Sequence, residues 1–265
     1  MDDHLLNLGF VKILSESTLY VKKSSTAIVI VSLYVDDLLV TGSDDVQIEI
    51  FKKEMMKVFE MTDLGPMHYF LGMEIQQRQN EMLLCQKKYV REILKMFNME
   101  ECKSVNTPMI QKKKLQKNNG EEPTDENVYR SLVGCFMYLT SIRPDIMYIV
   151  SVLSRFLHCP SKNNMVAGKR VMKYLKGTLS FGIKFSKVEN FKLQGYSDSD
   201  WAGLLDDMKS TSGYCFTFGS GCFSWCSKNQ DIVAQSTAEA EFIATMTAVN
   251  QAVWLKKLMH DLYLK

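Results

Sequence analysis

The sequence predicts an α+β fold, and three observations carry that prediction. Short runs rich in β-branched and aromatic residues, such as Ala27 to Val35 and Leu38 to Thr41, meet at tight reversals, the pattern of antiparallel hairpins. Longer stretches, among them 44–58, 87–99 and 236–253, repeat apolar residues at helical spacing. The strands come in hairpins, while 125–176 reads as an unbroken series of helices.

Whole-chain properties narrow the function classes. The 265 residues are enough for one large domain or several small ones, and 46% hydrophobic with 23% charged residues is the balance of a soluble globular chain. Net charge is only +2, so any nucleic-acid binding must come from local basic clusters. The seven cysteines show no paired spacing and read as reduced thiols; Cys222 and Cys226 with the distant His260 make a poor zinc set. Asp2, Asp3 and His4 open the chain, which is no signal peptide, and no apolar run reaches membrane-span length. An intracellular protein of cytoplasm or nucleus, without membrane partners, is therefore expected.

In chain order, Leu5 to Val11 read as the end of a helix entering a turn at Gly9, and 18–21 as a short strand. Residues 26–41 are a hairpin with Asp36 and Asp37 at its reversal, where an Asn-Gly or Asp-Gly turn would be ordinary. Adjacent carboxylates repel, and hard oxygen ligands suit Mg²⁺ held together with substrate phosphates. Alone, such a pair reads more often as a solvated turn; the surroundings decide. Ser43 is positioned to cap a helix over 44–58 with Val46, Ile50, Phe51, Met55 and Val58 as its apolar stripe. Two strands, 68–78 and 82–86, are expected next, turned at 79–81. A helix over 87–99 sets Val90, Ile93, Leu94 and Phe97 against a basic face of Lys87, Lys88, Arg91 and Lys95. That face is a solvated surface or a track along phosphates. Residues 110–127, with Lys112, Lys113, Lys114 and Lys117 and then Gly120 and Pro123, read as a linker. Helices are expected over 126–142, from Pro144 to about 156, and over 164–176, the last carrying Lys169, Arg170, Lys173 and Lys176.

A second acidic constellation follows. Strands are expected at 181–185, 191–197, 212–218 and 221–227, with Asp198 and Asp200 two apart and Trp201 beside them. Ser236 and Glu239 make a capping box for a long helix with Ala238, Phe242, Met246, Val249 and Val253 as its core stripe. Glu241 then falls on the border of that stripe. A half-exposed Glu is the plain reading there; with Asp198 on an adjoining strand, a metal pair accounts for both carboxylates better.

Tyr34-Val35-Asp36-Asp37 inside a hydrophobic hairpin resembles the polymerase motif of reverse transcriptases. The chain further resembles Ty1/copia-type retrotransposon Pol polyproteins, through 59–65 (FEMTDLG), 69–75 (YFLGMEI), 107–109 (TPM) and 129–134 (YRSLVG). The match continues through 143–146 (RPDI), 174–178 (YLKGT), 196–203 (YSDSDWAG) and 209–214 (KSTSGY). The resemblance implies an internal fragment with a partial reverse transcriptase palm (1–109), a linker and helical thumb/connection region (110–180), and a C-terminally truncated RNase H-like domain (181–265). It implies catalytic and metal roles for Asp36, Asp37, Asp198 and Glu241, with Mg²⁺ or Mn²⁺ as cofactor. It also implies contacts to template-primer or RNA–DNA hybrid from Tyr34, Lys87, Arg91, Lys169, Arg170 and Lys173, and association with other parts of the Pol polyprotein. The palm strand with the family's first catalytic aspartate, and the RNase H strand with its next one, are not among these residues, so weak or absent activity of the fragment alone is expected. The chain departs from the family pattern at Asn164, Met165 and Leu204. The alternative is a non-catalytic nucleic-acid-binding or interaction protein of retrotransposon origin.

Overall fold

In a computed structural model the described residues are 1–110, 115–116, 120–188, 192–203 and 206–264. The linker lysines Lys112, Lys113, Lys114 and Lys117, the strand start at Phe191, and Leu204 lie outside them. The fold is mixed α and β, and it divides into two units, 1–66 with 250–265, and 67–249.

In the first unit, α1 (Asp2–Asn7) leads through Gly9, at φ +83°, into strand β1 (Val11–Lys12). Strands β2 (Leu19–Lys23), β3 (Ile28–Tyr34) and β4 (Asp37–Gly42) follow, and the four form an antiparallel sheet in sequential order. Helix α2 (Asp45–Val58) closes a small core of Leu5, Phe10, Tyr20, Val31, Phe51 and Met55. Asp44, not Ser43, caps α2: its Oδ1 accepts from the Val46 N–H at 2.9 Å, while the Ser43 hydroxyl accepts from the Ile28 N–H at 3.0 Å. The expected stripe is half realised, because Val46, Ile50 and Val58 are exposed. The end of the chain also belongs here: the Trp254 indole donates to the Ser15 carbonyl at 3.2 Å, and the Ser15 hydroxyl donates to Asp261 at 2.6 Å.

The second unit holds two sheets and a helical core. Strands β5 (Tyr69–Phe70), β6 (Met73–Arg78), β7 (Glu81–Cys85) and β8 (Gly182–Ser186) form one antiparallel sheet in that order. Two expectations are corrected by it. The single strand over 68–78 is a hairpin, turned at Leu71 and Gly72 with φ +46° and +73°. A Cβ at Gly72 would run into the Tyr138 hydroxyl, which donates to the Leu71 carbonyl, so only glycine fits this turn. The strand expected to open the third segment instead pairs with β7, Glu81 opposite Ser186 and Cys85 opposite Gly182.

Helices α3 (Lys87–Met96), α4 (Glu126–Leu139), α5 (Met147–Ser154, after a 3₁₀ turn at Pro144–Ile146) and α6 (Lys162–Gly177) bury one shared core. Leu132, Val133, Phe136, Leu153 and Val171 are completely inaccessible within it. The Tyr129 hydroxyl is buried there and donates to the Leu153 carbonyl at 2.9 Å, so its own burial is satisfied. Asn164, a departure from the family pattern, is the third residue of α6 and completes a capping box: its Oδ1 accepts from the Ser161 N–H at 2.8 Å.

Strands β9 (Leu193–Ser199), β10 (Thr211–Phe218) and β11 (Gly221–Asn229) form the other sheet, with β10 central. Helix α7 (Thr237–Asp261) starts as expected, the Ser236 hydroxyl accepting from the Glu239 N–H at 3.2 Å. Its core face is not the expected one. Ala240, Ala244, Ala248 and Leu255 are buried, whereas Phe242, Met246, Val249 and Val253 are exposed. The small side chains of the alanine row are thus the covered ones, and residue size does not mark the buried face of this helix.

Candidate active sites

The first site is the tip of the β3–β4 hairpin. Tyr34 pairs with Asp37 across the ladder, which leaves Val35 and Asp36 as the turn. Val35 has φ +51°, a left-handed conformation that a β-branched residue adopts only at a cost. In exchange the reversal is completed within two residues, and Asp36 and Asp37 are presented side by side. Tyr34, Val35, Asp36 and Asp37 are all exposed at this tip. Strain of this kind, held in place by seven- and six-residue strands, is characteristic of functional turns.

The second site is assembled from distant parts of the chain. Asp198 lies exposed on β9, opposite Gly213 of β10. Glu241 is half-buried in the first turns of α7, beside the buried Ala240. Gln230 joins these surroundings, a residue that the sequence reading did not single out. Its buried amide nitrogen donates to the Ala240 carbonyl at 2.9 Å and the Ser212 hydroxyl at 2.9 Å, and lies 3.5 Å from the Ser199 hydroxyl. The Gln230 amide thus links β9 at Ser199 to α7 at Ala240; Asp198, the residue before Ser199 on the strand, points to the opposite face of the sheet. No hydrophobic or charge pattern marks Gln230 in the sequence; its position after the last strand is the only signal.

Asp200 is not part of this pair. β9 ends at Ser199, and the Asp200 carboxylate is taken up by the Thr211 N–H and by the Tyr148 hydroxyl at 3.1 Å. Burial, and then the neighbouring Asp200, push the Tyr148 hydroxyl up to about 12. Asp200 therefore fixes the loop after β9 rather than facing a ligand.

The basic candidates separate in the same way. Arg91 and Lys169 are exposed, Lys87 is half-buried at the first turn of α3, and the Glu74 carboxylate accepts from the Lys88 N–H at 2.6 Å, capping that helix. Arg170 donates to the Thr107 hydroxyl at 2.8 Å and ties the 105–107 segment to α6, as does the Lys173 carbonyl, which accepts from the Val105 N–H at 3.4 Å. Carboxylate pairs are hard donors that fit Mg²⁺ or Mn²⁺, and one or two carboxylates with substrate phosphates are a usual Mg²⁺ set. Among the described residues no third acidic, histidine or cysteine side chain joins either pair into a group able to hold a metal ion. No helix among them is long and apolar enough to cross a membrane.

The family model described as "Reverse transcriptase (RNA-dependent DNA polymerase)" matches residues 1–111. The retrovirus-related Pol polyprotein from transposon RE1 of Arabidopsis thaliana is 37% identical over 260 residues, covering 98% of this chain and 18% of that protein. The corresponding polyprotein from transposon TNT 1-94 of Nicotiana tabacum is 38% identical over 271 residues, covering 98% of this chain and 20% of its own length. An uncharacterised mitochondrial protein of Arabidopsis thaliana is 36% identical over 222 residues, 84% of this chain and 92% of that protein. No solved structure matches. The chain belongs to the reverse transcriptase family and, within it, to the copia-type Pol polyproteins of retrotransposons. It spans about a fifth of the length of the two polyproteins named.

Proposed function

We propose that this chain contributes two phosphoryl-transfer sites to a retrotransposon Pol protein. Asp36 and Asp37 serve template-directed DNA synthesis within a polymerase palm, and Asp198 and Glu241 serve cleavage of the RNA strand of RNA–DNA hybrids within an RNase H-like half-domain. The observation that carries the reading is the Tyr34-Val35-Asp36-Asp37 tip, where positive φ at Val35 sets two exposed carboxylates side by side. Mg²⁺ or Mn²⁺ bound there would neutralise charge on phosphate oxygens, and Asp36 and Asp37 would be its protein ligands. The chain's own share of the work is positioning. The hairpin fixes both carboxylates, the exposed Tyr34 ring offers a stacking face to nucleic acid, and Arg91, Lys87 and Lys169 attract the phosphate backbone.

In-line displacement of this kind uses two ions roughly 4 Å apart, which calls for more protein ligands than a single pair of carboxylates. These 265 residues alone are therefore expected to catalyse both reactions poorly. The same count of ligands, with the exposed Arg91 and Lys169, favours a second reading, a nucleic-acid-binding protein without catalysis. One paired assay separates the readings: extension of a primed RNA template, and cleavage of an RNA–DNA hybrid, in Mg²⁺ and in Mn²⁺. Activity lost in Asp36→Asn for the first and Glu241→Gln for the second supports the enzyme. Silence in both, with salt-sensitive binding that survives these substitutions, supports the binding protein.

A further inference from the structure

Beside the Asp198 and Glu241 surroundings, and outside the carboxylates themselves, the second unit contains an open pocket of about 430 Å³ between α5 and β11, flanked by Met137 of α4 and by Thr140 just after that helix. One wall is apolar, with Met147 and Val150. The other is polar, with Ser151 and Ser154 from α5, Arg155 directly after it, and Lys228 and Asn229 from β11. This mixture of an apolar wall and a few converging polar groups, in a volume of this order, is that of a small-ligand site.

Arg155 is the informative residue. One guanidinium nitrogen donates to the Thr211 hydroxyl at 2.9 Å, and the other terminal nitrogen is buried with no hydrogen-bond partner. Asn229, which pairs with Thr211 across the ladder, leaves its side-chain oxygen equally unpartnered. Burial lowers the pKa of Arg155, while Asp207 and Asp200 act on it only through longer-range charge, without a hydrogen bond. A half-buried guanidinium whose hydrogen-bonded partner is a neutral hydroxyl has unused capacity for an anion. Lys228 supplies a second positive charge at the rim, and the Ser151 hydroxyl supplies a donor, whereas the Ser154 hydroxyl already donates to the Ser151 carbonyl at 2.8 Å. Planar donors of arginine suit the oxygens of phosphate, and the Met147 and Val150 wall suits an attached sugar or base.

We propose that this cavity is a phosphate subsite, taking the phosphate of a nucleic-acid strand or of a free nucleotide through Arg155 and Lys228. The assignment rests on the nucleic-acid reading above, and it adds a contact surface that the α3 and α6 basic residues do not include.

The test is a phosphorus NMR titration of the whole chain with inorganic phosphate and with thymidine monophosphate, repeated with a single-stranded oligonucleotide as competitor. Saturable binding is expected, weakened by about tenfold or more in Arg155→Gln, as loss of a charge-assisted hydrogen bond requires, and less in Lys228→Gln. Ser151→Asp, which sets a carboxylate at the rim, should weaken it too and serves if Arg155→Gln does not fold. Competition by the oligonucleotide identifies a strand phosphate as the natural occupant; its absence identifies a free nucleotide. Absent saturation, or affinity unchanged in Arg155→Gln and Ser151→Asp, overturns the proposal. Oligonucleotide binding lost in Arg91→Gln while phosphate fails to bind would remove the cavity and leave the nucleic-acid reading intact. Phosphate binding without any oligonucleotide binding would do the reverse.

Discussion

The two carboxylate pairs are built in opposite ways. Asp36 and Asp37 are neighbours in sequence, fixed by one turn and two strands that pair with each other. Asp198 and Glu241 are 43 residues apart, on a strand and a helix that the buried Gln230 amide links through Ser199 and Ala240. The comparison teaches that the first site is a local device whose cost is backbone strain. The second is only as good as the packing of the unit around it.

That difference can be broken or sharpened by substitution. The largest effect is expected at Asp145, which supports the scaffold of the second unit. Arg143 is 2% exposed, donates to Asp145 through two bonds of 2.8 and 2.7 Å, and also donates to Thr178; the Tyr174 hydroxyl donates to Asp145 at 2.8 Å. Asp145→Asn leaves a buried guanidinium without its counter-charge and should cost about 2 kcal/mol, below the range for a fully buried pair because Asp145 is 31% exposed. Burial opposes ionisation of Asp145, but Arg143 and Tyr174 outweigh it and hold the carboxyl below its ordinary 3.8. A depressed carboxylate contributes stability above its unfolded pKa and loses it as pH falls through the folded value. The gap between wild type and Asp145→Asn in thermal melting should thus be constant from pH 5 to 7, values chosen well above about 3.9, and close below about pH 3.9. A gap independent of pH would remove the ion pair from the account.

Next comes Gln230→Ala, which strips the Ala240 carbonyl and the Ser212 hydroxyl of a shared donor. A loss of about 1–2 kcal/mol is expected, together with loss of any activity assigned to Glu241 and none assigned to Asp36. Equal damage to both activities would mean that the sites are not built independently. The smallest effect is Val35→Gly: relief of the left-handed strain is set against added chain entropy, for a net gain below about 1 kcal/mol in melting experiments. A clear loss of stability would show that the Val35 side chain, 80% exposed, is held by something other than the turn.

The same contrast governs how much was legible in the sequence. The hairpin was readable because its strands, turn and carboxylates lie within 16 residues, from Ala27 to Gly42. The apolar face of α3 was readable because Val90, Ile93 and Leu94, spaced at helical period, are the buried ones. The pairing of β8 with β7 was not, since it joins 81–85 to 182–186 and no local pattern specifies a partner that far away. The face of α7 was misread because side-chain size was taken as the guide, whereas Ala240, Ala244 and Ala248 are the buried residues. The β5–β6 reversal did leave a signal, Gly72 inside a strand-like run, of the kind that marks a bend or a close backbone approach.

The claim that two separate carboxylate pairs each hold a divalent ion is tested most directly by Mn²⁺ titration of the isotope-labelled chain, following paramagnetic broadening of backbone amides. Broadening should fall on residues around Asp36 and Asp37 and, separately, around Asp198 and Glu241. Asp36→Asn with Asp37→Asn should abolish only the first set, and Glu241→Gln only the second. Broadening that is absent from both, or that disappears from both together with either set of substitutions, would contradict the account.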